Sequence, residues 1–394
     1  MSANASEFIA IIRELQRSFA STISLTIGDA RPRPKIIGTL CLGAPVELID
    51  AIGALPIRLM PAIPEAELRG GRFLSSDSCS FCKAVLGGLD RGDLKPDAVL
   101  GATTCDQMRR NLEIIARDLR LPVFIFNSPR TADNPLSREF AREELIRLAD
   151  EISFWSGVGI TSENLTAAIS RRQLLRQRLA ELVGARCASP LQVPRLTGSE
   201  FFALMQLFQT ISLDFFEANL SRLEELVTRR ESLYRHPPLR LALLGSCIGS
   251  GDDQIISLIE ESGRAVIAYD AICTGRYALR EHVGARHASP APDDHPFELL
   301  LSLYHDQIHC PYRRPNDHLF EDVAEDIKHL DIQGVVYKTL KFCHPWGFEA
   351  RRFKDLLGLP FLHLDHDLSG STMGQMRTRI EAFIEQLSLQ KMSR

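Results

Sequence analysis

The sequence lacks the features of a membrane-spanning or nucleic-acid-binding protein. No apolar run approaches the roughly 20 residues that a membrane-spanning helix needs. The net charge is only −4 and no basic run stands out, which argues against a nucleic-acid partner. Residues 1–7 have neither a basic start nor an apolar core, so we predict no signal peptide and expect a cytoplasmic protein.

Strand-like and helix-like patterns alternate in two parts of the chain. This alternation is typical of parallel βαβ units in a doubly wound sheet. The chain has 394 residues, 45% of them hydrophobic, which is enough for two or three domains. The predicted strands lie at residues 35–41, 56–61, 98–103 and 122–126 in the first part, and at 239–244, 265–271, 334–340 and 360–364 in the second. The predicted helices lie at residues 8–20, 46–54, 79–89, 106–119 and 135–153, and at 252–261, 297–304, 319–330, 348–357 and 374–387.

Residues 162–235, between these two parts, contain no credible strand. Two long helical patterns, at 163–185 and 200–234, are separated by a break that contains Pro190 and Pro194. We therefore predict an α/β protein with two Rossmann/flavodoxin-like parallel-sheet domains joined by a helical segment. The predicted units are an N-terminal helical arm, a first α/β domain, a helical connector and a second α/β domain, at residues 1–34, 35–155, 156–236 and 237–394.

The nine cysteines are the main chemical feature of the sequence. In a reducing compartment they would not form a disulfide framework, so some pack as thiols and others bind metal or react. Cys105 and Cys343 each follow a predicted strand, where open α/β sheets place their chemistry. Cys79-Ser-Phe-Cys82 begins a predicted helix. This pair does not favour a thioredoxin-like redox site, which would belong in one small domain. A zinc site would need a second cysteine pair at suitable spacing, which the sequence does not offer. Two packed thiols without a chemical role remain an alternative.

Three thiolates without histidine or carboxylate partners favour a soft, polynuclear centre over zinc. An iron–sulfur cubane has four irons, so three cysteines such as Cys79, Cys105 and Cys343 would leave one iron open to substrate or solvent. The remaining cysteines fall into two groups. Cys247, Cys273 and Cys310 could line the same crevice, whereas Cys41 and Cys187 are predicted to be packed or incidental.

Six short motifs give the sequence a resemblance to a known family. The chain resembles the B/C-type subunits of 2-hydroxyacyl-CoA dehydratases and the related benzoyl-CoA reductases, and the motifs occur in the family's order from residue 44 to residue 383. They are Ala44-Pro-Val-Glu-Leu-Ile-Asp-Ala-Ile-Gly53, Cys79-Ser-Phe-Cys-Lys-Ala-Val-Leu-Gly87, Thr103-Thr-Cys-Asp106, Asp270-Ala-Ile-Cys-Thr-Gly-Arg-Tyr277, Lys341-Phe-Cys-His-Pro345 and Gly374-Gln-Met-Arg-Thr-Arg-Ile-Glu-Ala-Phe383.

The resemblance implies a [4Fe-4S] cluster held by Cys79, Cys105 and Cys343, in one chain of a pair made with a related subunit or a second copy. It also implies a partner, an ATP-hydrolysing iron–sulfur activator protein that supplies one electron. The substrate would be a 2-hydroxyacyl-CoA, and it would pass through a ketyl radical. The radical makes the β-hydrogen acidic enough to be removed as a proton, so that the substrate can lose water. Glu47 matches the family's Pro-x-Glu-Leu glutamate and is the candidate catalytic base or hydroxyl contact.

Several alternatives stay open at this point. Cys82 would replace Cys79 as a ligand if the helix were rotated. Cys273 and Cys310 are similar to cysteines of relatives that carry a fused double-cubane cluster and reduce small molecules. The motifs around Cys273 and Cys343 also resemble the benzoyl-CoA reductase branch, which would make the protein a low-potential reductase. A third interpretation is a non-catalytic partner subunit whose cluster only relays electrons.

Overall fold

The computed structural model describes residues 3–26, 33–61, 63–131, 134–187, 194–231, 233–234, 236–250, 252–279, 295–308 and 310–392. These residues form two four-stranded parallel sheets. The strands are β1 (Ile36–Thr39), β2 (Leu55–Arg58), β3 (Ala98–Ala102), β4 (Val123–Phe126), β5 (Leu239–Gly245), β6 (Ala265–Ala271), β7 (Gly334–Leu340) and β8 (Phe361–His366). The strand orders in the two sheets are β2-β1-β3-β4 and β6-β5-β7-β8. The predicted α/β class with two parallel sheets is confirmed.

Helices precede, connect and cover the strands. The α-helices are α1 (Ala3–Thr26), α2 (Val46–Ala51), α3 (Pro64–Gly70), α4 (Ser80–Arg91), α5 (Asp106–Arg117), α6 (Pro135–Ser156), α7 (Ser162–Cys187), α8 (Gly198–Thr210), α9 (Leu213–Arg229), α10 (Gln254–Glu260), α11 (Pro296–Leu301), α12 (Asp317–His329), α13 (His344–Leu357) and α14 (Met373–Met392). A π-helical turn, Ser302–Asp306, continues α11. In the described part of the chain, no helix combines the length and the apolar character needed to cross a membrane.

Two helix predictions were wrong in detail. The helix expected at residues 200–234 is broken into α8 and α9, because Ile211 is extended and the Ser212 side chain accepts a hydrogen bond from the Phe215 amide, 3.3 Å away. Serine is a preferred residue at a helix start since its oxygen satisfies one of the amides that the helix leaves free. Helix α3 lies between β2 and α4, where no helix is predicted from the sequence, and it starts with Pro64 in the first turn, a favoured position for proline.

The apolar cores show how the two sheets are joined. All residues of β5, β6 and β7 are buried, as expected for parallel strands covered on both faces. Residues of the segment 299–312 pack into the same core as Ile37 of β1 and Phe124 of β4, although they follow β6 in the chain. A further core combines α4 and α5 with Leu340 and Leu368 from the second sheet region.

Backbone contacts also connect the two sheet regions near the carboxyl ends of the strands. Pro61 forms a parallel bridge with Ser250, whose amide donates to the carbonyl of Met60 at 2.7 Å. The amide of Ser80, in the first turn of α4, donates to the carbonyl of Lys341 at 3.3 Å. The carboxyl ends of the two sheets therefore meet, and the cysteines that follow the strands lie between them.

Candidate metal centre

Three cysteines occupy the starts of three helices at this meeting point. Cys79, Cys105 and Cys343 are the N-cap residues of α4, α5 and α13. The positive end of a helix dipole stabilises a thiolate or another anion placed there. The Cys105 sulfur accepts a hydrogen bond from the Met108 amide at 3.4 Å. Phe342, with a left-handed φ of 64°, turns the chain between β7 and Cys343.

Cys79 and Cys343 come from different sheets and lie close together, since Cys343 packs against the apolar core that contains Cys79. Interactions with the nearby side chains of Cys343 and Cys82 hold the pKa of the Cys79 thiol well below its ordinary value. The same contacts with Cys79, together with burial, raise the pKa values of Cys82 and Cys343. Burial raises the pKa of Cys105 to about 12, and the nearby Cys79 adds to the effect. The structure therefore brings the three sequence-predicted cysteines together and places Cys82 among them.

A second thiol pair lies next to the first. Cys247, after β5, and Cys273, after β6, lie close together, and their interaction lowers the pKa of Cys273 to about 6 while it raises that of Cys247. Arg58 Nη2 donates to the Cys273 sulfur at 3.7 Å. The two pairs are close enough to interact electrostatically, since the charge of Cys79 raises the pKa of Cys247 and that of Cys247 raises the pKa of Cys343. The two pairs thus form one group of sulfur atoms.

The cysteine group extends to Cys310 and Cys41. Burial raises the pKa of Cys310, and its electrostatic neighbours include Cys41, Cys273 and Cys105. Cys41, expected to be packed or incidental, lies near Cys105 and is 3.4 Å from the Thr104 hydroxyl. Its position after a strand could have predicted this, because Cys41 follows β1 in the same way that Cys105 follows β3. The side chain of Cys187 lies outside the described residues.

The donor atoms of this group fit an iron–sulfur centre. In the described residues, no three or more His, Cys, Asp or Glu side chains are arranged to hold a metal ion. A cubane makes a different demand from a single ion, because each cysteine binds a different iron atom and the sulfurs need not converge on one point. Sulfur donors at three helix starts match the chemistry of such a cluster, since soft thiolates select iron–sulfur clusters and the helix ends favour their negative charge.

Glu47 lies in the first turn of α2 and is fully buried. Its carboxylate accepts hydrogen bonds from Arg176 Nη2 at 2.8 Å and from the Tyr304 hydroxyl at 2.6 Å. Arg176 and Tyr304 line a small pocket together with Cys41 and Arg58. Sequence reasoning missed these partners because Arg176 comes from α7 and Tyr304 from the π-helical turn, far from Glu47 in the chain.

Comparisons with known proteins cover almost the whole chain. A family model described as 2-hydroxyglutaryl-CoA dehydratase, D-component, matches residues 41–387. Putative dehydratase subunit YjiM of Escherichia coli is 27% identical over 378 residues, covering 92% of this chain and 94% of that protein. A benzoyl-CoA reductase subunit of Thauera aromatica is 23% identical, covering 98% of this chain and 99% of its own length. The beta subunit of (R)-2-hydroxyglutaryl-CoA dehydratase from Acidaminococcus fermentans is 22% identical, covering 96% of this chain and 99% of its own length.

Proposed function

Because the chain belongs to the family of the 2-hydroxyglutaryl-CoA dehydratase D-component, we propose that it is the iron–sulfur subunit of a 2-hydroxyacyl-CoA dehydratase-type enzyme. The observation that carries this proposal is that Cys79, Cys105 and Cys343, which come from two different sheet regions, start three helices and pack around one core. A [4Fe-4S] cluster would then lie between the two sheets, with Cys79, Cys105 and Cys343 as its ligands. The names of the relatives support a partner subunit, either a related chain or a second copy.

The residues of this chain would prepare the site for a negatively charged cofactor. Three helix starts favour negative charge at the sulfurs of Cys79, Cys105 and Cys343. Cys79 is buried and the other two residues are half-buried, so the chain keeps bulk water away from most of this site. When bound, the cluster would supply low-potential one-electron chemistry to the thioester of an acyl-CoA, after activation by an ATP-hydrolysing iron–sulfur protein. Glu47 is the proposed base, and Arg176 and Tyr304 fix its carboxylate.

The test is anaerobic purification followed by iron and sulfide analysis and electron paramagnetic resonance of the reduced protein. We expect about four irons per chain, and loss of the cluster in Cys105→Ser and Cys343→Ser. Cys187→Ser is the matched control, because this cysteine is not a proposed ligand and its replacement should leave the iron content unchanged. Stoichiometric zinc, or no metal after anaerobic handling, would overturn the proposal. Turnover of a panel of 2-hydroxyacyl-CoA and aromatic acyl-CoA thioesters with a matching activator then separates dehydratase from benzoyl-CoA reductase-type activity.

A second candidate function is that of a low-potential reductase with a fused double-cubane cluster. The observation in its favour is the Cys247–Cys273 pair beside the Cys79–Cys343 pair, which together offer more sulfur donors than one cubane needs. The same iron analysis distinguishes the two. About eight irons per chain, lost or halved in Cys247→Ser and Cys273→Ser, would favour the reductase, whereas about four irons retained in both variants would favour the dehydratase.

A further inference from the structure

The small pocket beside the cysteine group is lined by three buried arginines. Arg58 comes from the end of β2, and Arg172 and Arg176 come from α7. Their exposed fractions are 7%, 6% and 6%. Cys41 lines the same pocket, and Arg58 Nη2 donates to the Cys273 sulfur. The pocket and the cysteine group are therefore neighbours, and Arg58 belongs to both.

Two of the three arginines pair with carboxylates, and the third faces a cysteine sulfur. Arg172 forms a bidentate pair with Asp50, and Arg176 pairs with Glu47. Within the described ranges, Arg58 has no carboxylate within ion-pair distance. The Cys273 sulfur faces Arg58 instead and accepts a hydrogen bond from one of its donors. A buried cation is costly unless its remaining donors are also satisfied, which makes an anionic hydrogen-bond acceptor favourable here.

The hydrogen-bond donors of the pocket are also incompletely used. In the part of the chain that the structure describes, Arg58 Nε and Arg176 Nε and Nη1 are buried and have no hydrogen-bond partner. Buried donors nearly always have a partner, either a protein group, a ligand or an ordered water. A carboxylate offers two oxygens that match the planar, forked donors of arginine. The rest of the wall includes the apolar residues Val46, Pro56 and Phe208 and the polar residues Thr39, Gln209 and Tyr304.

We propose that this pocket binds a small organic carboxylate. Its oxygens would accept hydrogen bonds from Arg58 and Arg176, and its short alkyl part would lie against Val46 and Phe208. The ligand would lie next to the cysteine group, since Arg58 also contacts Cys273. This inference goes beyond the proposed function, because that function assigns no ligand to the pocket, although Arg176 also holds the proposed base Glu47.

The test is isothermal titration calorimetry of the anaerobically purified full chain with sodium acetate and with acetamide, at constant ionic strength. Acetate should bind saturably, and acetamide, which has nearly the same shape without the charge, should bind at least about tenfold more weakly. Arg58→Gln should weaken acetate binding by about tenfold or more, and Arg58→Lys, which keeps the charge without the fork, should weaken it less. Arg351→Gln is the control, because this arginine is an exposed member of a surface pair.

Equal affinities for acetate and acetamide, or no saturable heat with acetate, would overturn the proposal and leave ordered water as the partner of these donors. So would unchanged acetate binding in folded Arg58→Gln. The comparison of acetate with acetamide needs no variant, so it tests whether the pocket binds a carboxylate even if Arg58→Gln does not fold. Iron content measured on the same samples keeps the two proposals apart, because acetate binding without a cluster would refute only the proposed function.

Discussion

Gly87 of α4 lies so close to α3 that a Cβ atom on it would be 2.7 Å from the backbone nitrogen of Gly70 and would overlap the carbonyl oxygen of Ala66. A Cβ on Gly70 would in turn overlap the carbonyl oxygen of Lys83. The two helices therefore pack backbone against backbone, which only glycine permits at these positions. Because α4 starts after Cys79 and carries Cys82, this contact fixes where both sulfurs lie.

Gly87→Ala or Gly70→Ala should destabilise the protein by about 2–3 kcal/mol, since backbone atoms have no alternative rotamer and the helices must move apart. The iron content should fall as well, because Cys79 moves with α4. Gly184→Ala is the matched control, as Gly184 lies in α7 with open space around it, and it should be neutral or stabilising by up to about 1 kcal/mol. Urea unfolding and iron analysis measure the two effects. Equal stability of all three variants would contradict the predicted role of the contact.

The fully buried ion pair between Arg186 and Asp270 supports the turn that carries Cys273. Arg186 Nη1 donates to Asp270 Oδ2 at 2.8 Å, while the other carboxylate oxygen accepts hydrogen bonds from the amides of Ile272 and Arg276. Arg186→Met should cost about 3–5 kcal/mol in unfolding free energy, because the Asp270 charge stays buried after its partner is removed.

The control for this pair is Arg229→Met, which breaks an exposed pair with Glu225 and should change stability by less than about 1 kcal/mol. Denaturant unfolding of both variants gives the comparison. A small effect of Arg186→Met would mean that water reaches Asp270 once Arg186 is shortened.

The ion pair between Lys341 and Asp367 makes stability depend on pH in the acid range. Burial alone would raise the pKa of Asp367, but hydrogen bonds from Lys341 at 2.7 Å and from Ser369 hold this pKa at about 2. Since this pKa is below the ordinary value, the stabilisation is complete above about pH 4 and is lost as the pH falls through about 2. Asp367→Asn should therefore cost about 1 kcal/mol at pH 7, a modest value because Lys341 is solvent-exposed, and less at lower pH.

Urea unfolding of wild type and Asp367→Asn between about pH 7 and pH 3 checks this dependence. Asp355→Asn removes an exposed ion pair with Arg351 and should change stability by less than about 0.5 kcal/mol. If the difference in unfolding free energy between wild type and Asp367→Asn grows as the pH falls, the lowered pKa of Asp367 is refuted as the cause of the acid dependence.

Glu47→Gln tests the proposed base. If Glu47 transfers a proton, turnover should fall by about 10²- to 10⁴-fold while the iron content is kept. Tyr304→Phe is the comparison, because it removes one hydrogen bond from Glu47 and leaves the carboxylate in place. A drop in unfolding free energy with unchanged turnover per folded enzyme would instead make Glu47 a purely structural partner of Arg176.

The positions of the strands, and of the cysteines that follow them, can be predicted from the sequence, because the change from an apolar strand pattern to a helical pattern is a local signal. Cys105 and Cys343 lie after β3 and β7, where the alternation of strands and helices predicts them. Contacts between distant segments leave no such local signal. The proximity of Cys247 to Cys79, and of Arg58 to Cys273, depends on how two sheets face each other, which no short pattern encodes.

The break between α8 and α9 is only partly predictable from the sequence. Ser212 is a recognised residue type for a helix start, but the apolar pattern continues across it, and periodicity alone predicts one helix. The packing of residues 299–312 against β1 and β4 is not predictable from chain order, since consecutive elements usually remain neighbours and these residues return to the first sheet.

The backbone links between the sheets limit how the protein can move. Pro61 and Ser250 are bridged, Ser80 donates to Lys341, and the amide of Leu368 donates to buried Glu67 at 2.8 Å. A hinge needs a few residues that can change their backbone angles freely, and these links tie both sides of the cysteine group at several points. Access to the proposed site is therefore expected to depend on local movements of side chains, while the two sheets keep their relative position.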